Sequence, residues 1–190
     1  TNNVLIGTES GDAITDGNTN VAVGSSSLTT NQRGDKNTSV GHKSLENMNP
    51  SGDVDTFNTA LGFQAGNDVT TGIQNIFVGA LAGDALTTGS NCIFIGKGAT
   101  ESAVGTSNQL VLGTDVTCVG DSNFTFGGGT SDSNIAFGAT SISAPSDQRY
   151  KEEIEDATAG LSFIKDLRPV TFKWKKEKDL PTSHRAYVEG

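Results

Sequence analysis

Asn75-Ile76-Phe77-Val78-Gly79 is the stretch whose reading decides the fold, because its plan recurs along most of the chain. Copies run from Asn3 to Gly7, Asn20 to Gly24, Asn37 to Gly41 and Asn58 to Gly62. Two looser copies run from Cys92 to Gly96 and from Gln109 to Gly113, each with an asparagine one residue earlier, Asn91 and Asn108. The closing glycines are 17, 17, 21, 17, 17 and 17 residues apart, and the longer interval holds an inserted loop, Asn49-Pro50-Ser51-Gly52-Asp53. A second glycine follows ten residues after the first in four copies, at Gly17, Gly34, Gly72 and Gly89. A short fixed period of this kind marks a solenoid or roll, in which each unit buries its apolar surface only by stacking on the next.

Within one copy, three or four β-formers make a strand, and the glycine permits a positive-φ turn or a close backbone approach. Segments such as Thr70-Thr71-Gly72 and Thr87-Thr88-Gly89 turn the chain again. Residues three and one before the glycine share a face, as in Val4/Ile6, Val21/Val23, Ile76/Val78, Ile93/Ile95 and Leu110/Leu112, and the residue between them points the other way. That middle residue is Ala22, Ser39 or Ala60 in early copies and Phe77, Phe94 or Val111 in later ones. Apolar residues on both faces imply burial of both. One face fills the coil interior, and the other is expected to meet neighbouring chains about a threefold axis. The leading asparagines are expected to bond locally and to stack as an amide ladder. Seven copies at about 4.8 Å each give a shaft of about 30 Å. The predicted fold class is therefore an all-β, trimeric β-roll or β-helix solenoid of about 17-residue coils, and a small α+β segment follows it.

Charge separates the chain into the same parts. Residues 1–145 hold 4 Lys/Arg against 13 Asp/Glu, whereas residues 146–190 hold 9 of each, for a net charge of −9. An acidic shaft repels phosphate backbones, which argues against nucleic acid as a partner. No apolar run reaches the roughly 18 residues that span a bilayer, so no membrane insertion is expected. Thr1 is not a natural start and no signal peptide opens the chain, so a fragment of a longer protein is expected.

Candidate ligand-binding residues are sparse. Cys92 and Cys118, 26 positions apart in apolar runs without CxxC spacing, read as buried small hydrophobes, so no metal and no cofactor is predicted. Asp12/Asp16 and Asp53/Asp55 are loop carboxylates that read as solvated turn residues more readily than as cation ligands. The seven aromatics before residue 146 are all Phe, which argues against a sugar-stacking groove. His42 stands alone. Residues 114–145 are expected to form a β-rich neck: Phe124-Thr125-Phe126 leads into Gly127-Gly128-Gly129, Asn134 to Gly138 echoes the repeat, and short strands interleaved about the trimer axis are expected. The glycine run lacks a following Lys-Ser/Thr and reads as a turn, not a phosphate loop.

Beyond residue 145 the composition changes. Asp156 caps a predicted helix to about Asp166 with Leu161, Ile164 and Leu167 at helical spacing, Arg168-Pro169 ends it, and Val170, Phe172 and Trp174 alternate as a half-buried strand. Ser146-Asp147-Gln148-Arg149-Tyr150-Lys151, with Lys151-Glu152-Glu153-Ile154, Leu161-Ser162-Phe163-Ile164, Leu167-Arg168-Pro169-Val170 and Phe172-Lys173-Trp174, resembles the start of the peptidase S74 family. Members are self-cleaving intramolecular chaperones at the C-termini of phage tailspikes and tail fibres. The resemblance implies a Ser/Lys dyad that acts once on its own chain: Ser146 is the nucleophile, Lys151 the general base, and Pro145–Ser146 the cleaved bond. Such domains are usually longer, so the piece from 146 to 190 is expected to be truncated at Gly190.

The Asn-x-x-x-Gly copies also resemble the head repeats of trimeric autotransporter adhesins, which form trimeric left-handed β-rolls. Those repeats are commonly shorter than 17 residues, and both a roll and a three-faced β-helix fit the period. Together these features predict a shaft (1–113), a neck (114–145) and the start of a chaperone (146–190). The expected function is a structural, host-recognising phage tail fibre or tailspike, a homotrimer in the virion and extracellular when mature, that binds a host receptor or glycan. A bacterial trimeric adhesin with the same chaperone and a polysaccharide-degrading tailspike are the alternatives, and no turnover activity is predicted in the shaft.

Overall fold

Each apolar triplet becomes one short strand, and the glycine after it ends that strand. The computed structural model describes residues 2–129 and 132–141. The predicted helix over 156–166, the strand at 170–174 and residues 142–145 lie outside the described residues. The described strands are β1 (Val4–Ile6), β2 (Val21–Val23), β3 (Gly34–Asp35), β4 (Thr38–Val40), β5 (Val54–Asp55), β6 (Thr59–Leu61), β7 (Ile76–Val78), β8 (Ile93–Ile95), β9 (Gln109–Gly113), β10 (Asn123–Gly127) and β11 (Ser133–Ala136). Nine of them form one sheet in the order β1-β2-β4-β6-β7-β8-β9-β10-β11, parallel throughout except for the last pair. Equivalent residues of successive coils sit side by side, so that Ile76 pairs with Ile93 and Phe77 with Phe94.

The structure distinguishes between the two architectures that fit the period. A three-faced β-helix needs a continuous sheet on each side. Here one side is a sheet, and beyond it the described coils hold only the two-stranded β3–β5 ladder, one parallel bridge between Thr100 and Thr117, and turns. Backbone conformation is the cause. The second residue after a closing glycine is left-handed in coil after coil (Glu9, Ser26, Lys43, Gln64 and Leu81), and so is the residue just before each leading position from Asn20 on (Thr19, Lys36, Phe57, Gln74, Asn91, Asn108 and Ser122). Left-handed residues cannot continue an extended strand. Outside glycine each costs roughly 1–2 kcal/mol. Bonds between coils hold them: the amide N–H groups of Ser26, Lys43, Gln64 and Leu81 donate to the carbonyls of Thr8, Ser25, His42 and Phe63.

The closing glycines are dictated by stacking. Gly7 has φ +131°, and a Cβ there would lie 2.6 Å from the Gly24 carbonyl oxygen of the next coil. Real side chains do not approach backbone that closely, so the period in the sequence is the imprint of coil-on-coil contact.

The interior face of the sheet is formed by the middle residues. Ala22, Ser39, Ala60, Phe77, Phe94 and Val111 are all fully buried. Leu28, Leu45, Met48, Val69, Leu86 and Val116 complete the core from the turns. The Phe77 and Phe94 rings meet at 5.9 Å and 56°, a tilted geometry favourable to aromatic pairs.

The sequence reading of the asparagines is corrected in kind. They bond across coils and not locally, and the expected amide-to-amide ladder is met between Asn20 and Asn37. The Oδ1 of Asn3, Asn20, Asn37, Asn58 and Asn75 accepts the backbone N–H of the leading residue one coil later, at 2.8–3.1 Å. The Nδ2 of Asn3, Asn20, Asn58 and Asn75 donates to the carbonyl of Gly17, Gly34, Gly72 and Gly89. The side chains of Asn3, Asn20, Asn58 and Asn75 therefore each clamp two backbones, whereas the Asn37 Nδ2 donates to the Asn20 Oδ1 at 3.1 Å. Asn91 and Asn108 do something else: they occupy the left-handed position that asparagine tolerates, and Cys92 and Gln109 take the leading place.

Beyond Gly113 the repeat shortens and does not dissolve. β10 pairs in parallel with β9, with Gly127 beside Gly113, and so adds an eighth rung after 14 residues. β11 then pairs antiparallel with β10. Both strands thus pair within their own chain.

Candidate functional site

The surface most unlike an ordinary exterior is the outer face of the nine-stranded sheet. Residues three before the closing glycine form one column, Val4, Val21, Thr38, Thr59, Ile76, Ile93 and Leu110, which Phe124 extends. Residues one before it form a second: Ile6, Val23, Val40, Leu61, Val78, Ile95 and Leu112, extended by Phe126. Ile6 is 58% exposed, Leu61 51%, Val4 48% and Leu112 47%. Scattered exposed hydrophobes are ordinary, but a contiguous apolar strip marks an interaction surface. No charged residue stands in either column, although acids far outnumber bases before residue 146. Only Thr38 and Thr59, hydrogen-bonded neighbours on β4 and β6, interrupt the apolar run.

The inserted loop is the second irregular feature. It allows β5 to pair with β3, and a groove of about 250 Å³ opens beside it, lined by Pro50, Ser51, Gly52, Val54, Asp55, Thr71 and Ile73. Arg33 reaches toward Asp16 at 3.7 Å and Asp53 at 3.9 Å, and Lys36 pairs with Asp55 at 2.6 Å. Three of the carboxylates weighed as cation ligands are therefore engaged by exposed cations. The Lys36 ammonium also lies 5.1 Å from the centre of the half-exposed Phe57 ring. His42, solitary in sequence, stacks on Phe63 at 5.5 Å.

The remaining candidates fall as follows. Cys92 and Cys118 are free and buried, and burial pushes the Cys92 thiol up to about 11, which leaves it protonated and unreactive at neutral pH. Gly127 ends β10, and the Gly129 N–H donates to the Asp132 carboxylate at 2.9 Å. That is a turn in which a carboxylate already occupies the amide, in keeping with the turn reading. Pro145, Ser146 and Lys151 lie outside the described residues.

Two further sets of residues were not singled out from the sequence. The fourth residue after the closing glycine alternates with the strand middle. Leu28 and Leu45 follow the small Ala22 and Ser39, whereas Gly66 and Gly83 flank the Phe77 ring, and a Cβ at Gly66 would lie 2.7 Å from that ring. The signal was present, since this position shares the 17-residue period. The second set is acidic. Burial raises the Asp84 and Glu101 carboxyls above their usual range, and neighbouring carboxylates add to it: Asp68 for Asp84, and Asp84 and Asp68 for Glu101. The Thr100 hydroxyl donates to Glu101 at 2.9 Å and pulls the other way. No helix among the described residues is long and apolar enough to cross a membrane.

Residues 146–187 match the family model Peptidase_S74, the chaperone of endosialidase. The match covers under a quarter of the chain and begins at the serine with which the resemblance read from the sequence begins. No curated protein and no solved structure matches the chain. A β-solenoid followed by an S74 chaperone segment fits a protein of the phage tail-fibre or tailspike type.

Proposed function

We propose that this chain is the distal shaft of a phage tail fibre or tailspike, assembled as a homotrimer under the guidance of its C-terminal segment and separated from it by self-cleavage before Ser146. The observation that carries the reading is the pairing of an S74 match at 146–187 with a solenoid whose outer face exposes apolar columns among the described residues. S74 chaperones accompany trimeric fibres, and three such faces turned inward bury one another's Val, Ile and Leu columns. Host attachment is the role that a shaft of this type serves in the virion.

The cleavage chemistry follows from the dyad. A serine hydroxyl is a weak nucleophile until a base takes its proton. Lysine serves as that base only when burial or neighbouring cations lower its pKa, and packing in a trimer supplies such an environment. The Ser146 Oγ, deprotonated by Lys151, attacks the Pro145 carbonyl carbon; the Pro145–Ser146 C–N bond breaks and the freed amine takes the proton. Water then opens the resulting ester and leaves Pro145 as the new C-terminus. Release of the segment removes the assembly nucleus and traps the fibre kinetically.

Mass spectrometry together with sedimentation of the purified protein tests both parts. The expected result is a break after Pro145 and an N-terminal piece of trimeric mass. Ser146→Ala and Lys151→Ala should remain full length and melt at lower temperature or reversibly. An intact wild-type chain, or a monomeric shaft, would refute the proposal.

A further inference from the structure

A shaft of near-identical rungs has a difficulty that its own structure addresses. Two copies laid face to face present columns of Val, Ile and Leu at the same spacing of about 4.8 Å, so a shift by one rung preserves nearly every contact. We infer that the rungs on either side of the 21-residue coil, marked by Thr38 and Thr59, set the register in which a second copy of this chain aligns with the first. The inference rests on the association proposed above and names the residues that give it a unique alignment.

Three departures from uniformity coincide at this height. On the outer face Thr38 and Thr59 are adjacent, the only polar residues in either column. Between them the coil is lengthened by the loop at 49–53, which carries the additional β3–β5 ladder. Inside, the rung of Thr38 is polar too: Ser39 and Ser44 share a hydrogen bond of 2.6 Å, and Ser27 joins them at 2.9 and 3.3 Å. Elsewhere the strand middles are apolar from Phe77 to Val111.

The occupant of the face is a second copy because its demands are those of the face itself. The columns carry no charge, so like meets like without repulsion, although the exterior around them is acidic. A hydroxyl is both donor and acceptor and therefore self-complementary. In register, threonine meets threonine and each hydroxyl finds a partner. One rung out of register, a threonine faces Val21 or Ile76 and its hydroxyl is buried against methyl groups. A single polar position in an apolar seam selects alignment in coiled coils by the same means.

The test uses full-length chains carrying Val78→Cys co-expressed with full-length chains carrying Ile95→Cys. A disulfide bridges Cβ atoms about 3.8 Å apart and so resolves a one-rung shift. On the otherwise native background 78–78 and 95–95 bridges should dominate. With Thr38→Val and Thr59→Val in both chains, the 78–95 share should rise at least fivefold. Thr38→Ser with Thr59→Ser keeps the hydroxyls and should retain the native pattern. An unchanged 78–95 share in the valine background, or no bridge of either kind in a protein of trimeric mass, overturns the register assignment and leaves trimerisation standing. A monomeric mass overturns both.

Discussion

The second and third coils and the fifth and sixth coils solve the same packing problem in opposite ways. In the former the strand contributes a small residue, Ala22 or Ser39, and the corner supplies Leu28 or Leu45 in a left-handed conformation with φ 54° or 46°. In the latter the strand contributes Phe77 or Phe94, and the Phe77 ring lies between the corners Gly66 and Gly83. At these two positions the large apolar side chain moves from turn to strand along the axis. Size alone is therefore a poor guide to importance here: the glycine beside a phenylalanine is as constrained as the phenylalanine.

Substitutions can break that comparison. The largest effect is expected at Gly83. A Cβ there would lie 2.7 Å from Phe94 and closer still to Phe77, so Gly83→Leu should cost about 4 kcal/mol or more and abolish a cooperative transition in chemical denaturation. Phe77→Ala alone should cost about 3–5 kcal/mol through the cavity it leaves. The two together copy the plan of the second coil, and the double variant should be more stable than Gly83→Leu alone by about 1–3 kcal/mol. Purely additive losses would show that the two coil types do not exchange volume in this way.

The asparagines sharpen the comparison at a smaller scale. Asn75→Ala leaves the Cys92 N–H and the Gly89 carbonyl without the partners they have now, and should cost about 1–3 kcal/mol in the same assay. Asn91→Ala removes only a residue tolerant of its left-handed place, φ 59°, and should cost about 1 kcal/mol. Equal losses at the two sites would refute the division of labour between them.

The smallest effect concerns charge. Glu101 is held in a buried place that favours its neutral form. Its folded pKa is raised above the unfolded value of 4.5, so the fold loses stability as pH climbs from there through the folded value. Glu101→Gln should flatten that decline and raise the Tm at pH 7 by about 1–3 °C. A lower Tm would mean that the ionised carboxylate is needed.

Much of this was legible in the residues. The triplets at 4–6, 21–23, 38–40, 59–61, 76–78 and 93–95 coincide with strands, and Gly113 closes β9 as its place in the repeat implies. Glycine at the close of every coil announced the stacking contact, because only a residue without Cβ fits against the next backbone. Ser146 to Trp174 carried the family resemblance, and residues 146–187 match that family. The bonding of the asparagines was less legible, since an amide beside a strand bonds locally or across coils with equal chemical ease. The eighth rung escaped notice because its interval is 14 and not 17.

Periodicity by itself determined that the chain winds into stacked coils, for a recurring glycine and apolar triplet leave the backbone few other ways to bury what it repeats. Alternation within the triplet could not say which face points inward, as both are apolar in the later copies. Tertiary structure decided that: the middle residues close over the axis of their own coil, and the flanking columns remain outside. The reason is geometric. Left-handed corners draw the turns over one side of the sheet only, so the described coils close over one face and leave the other outside.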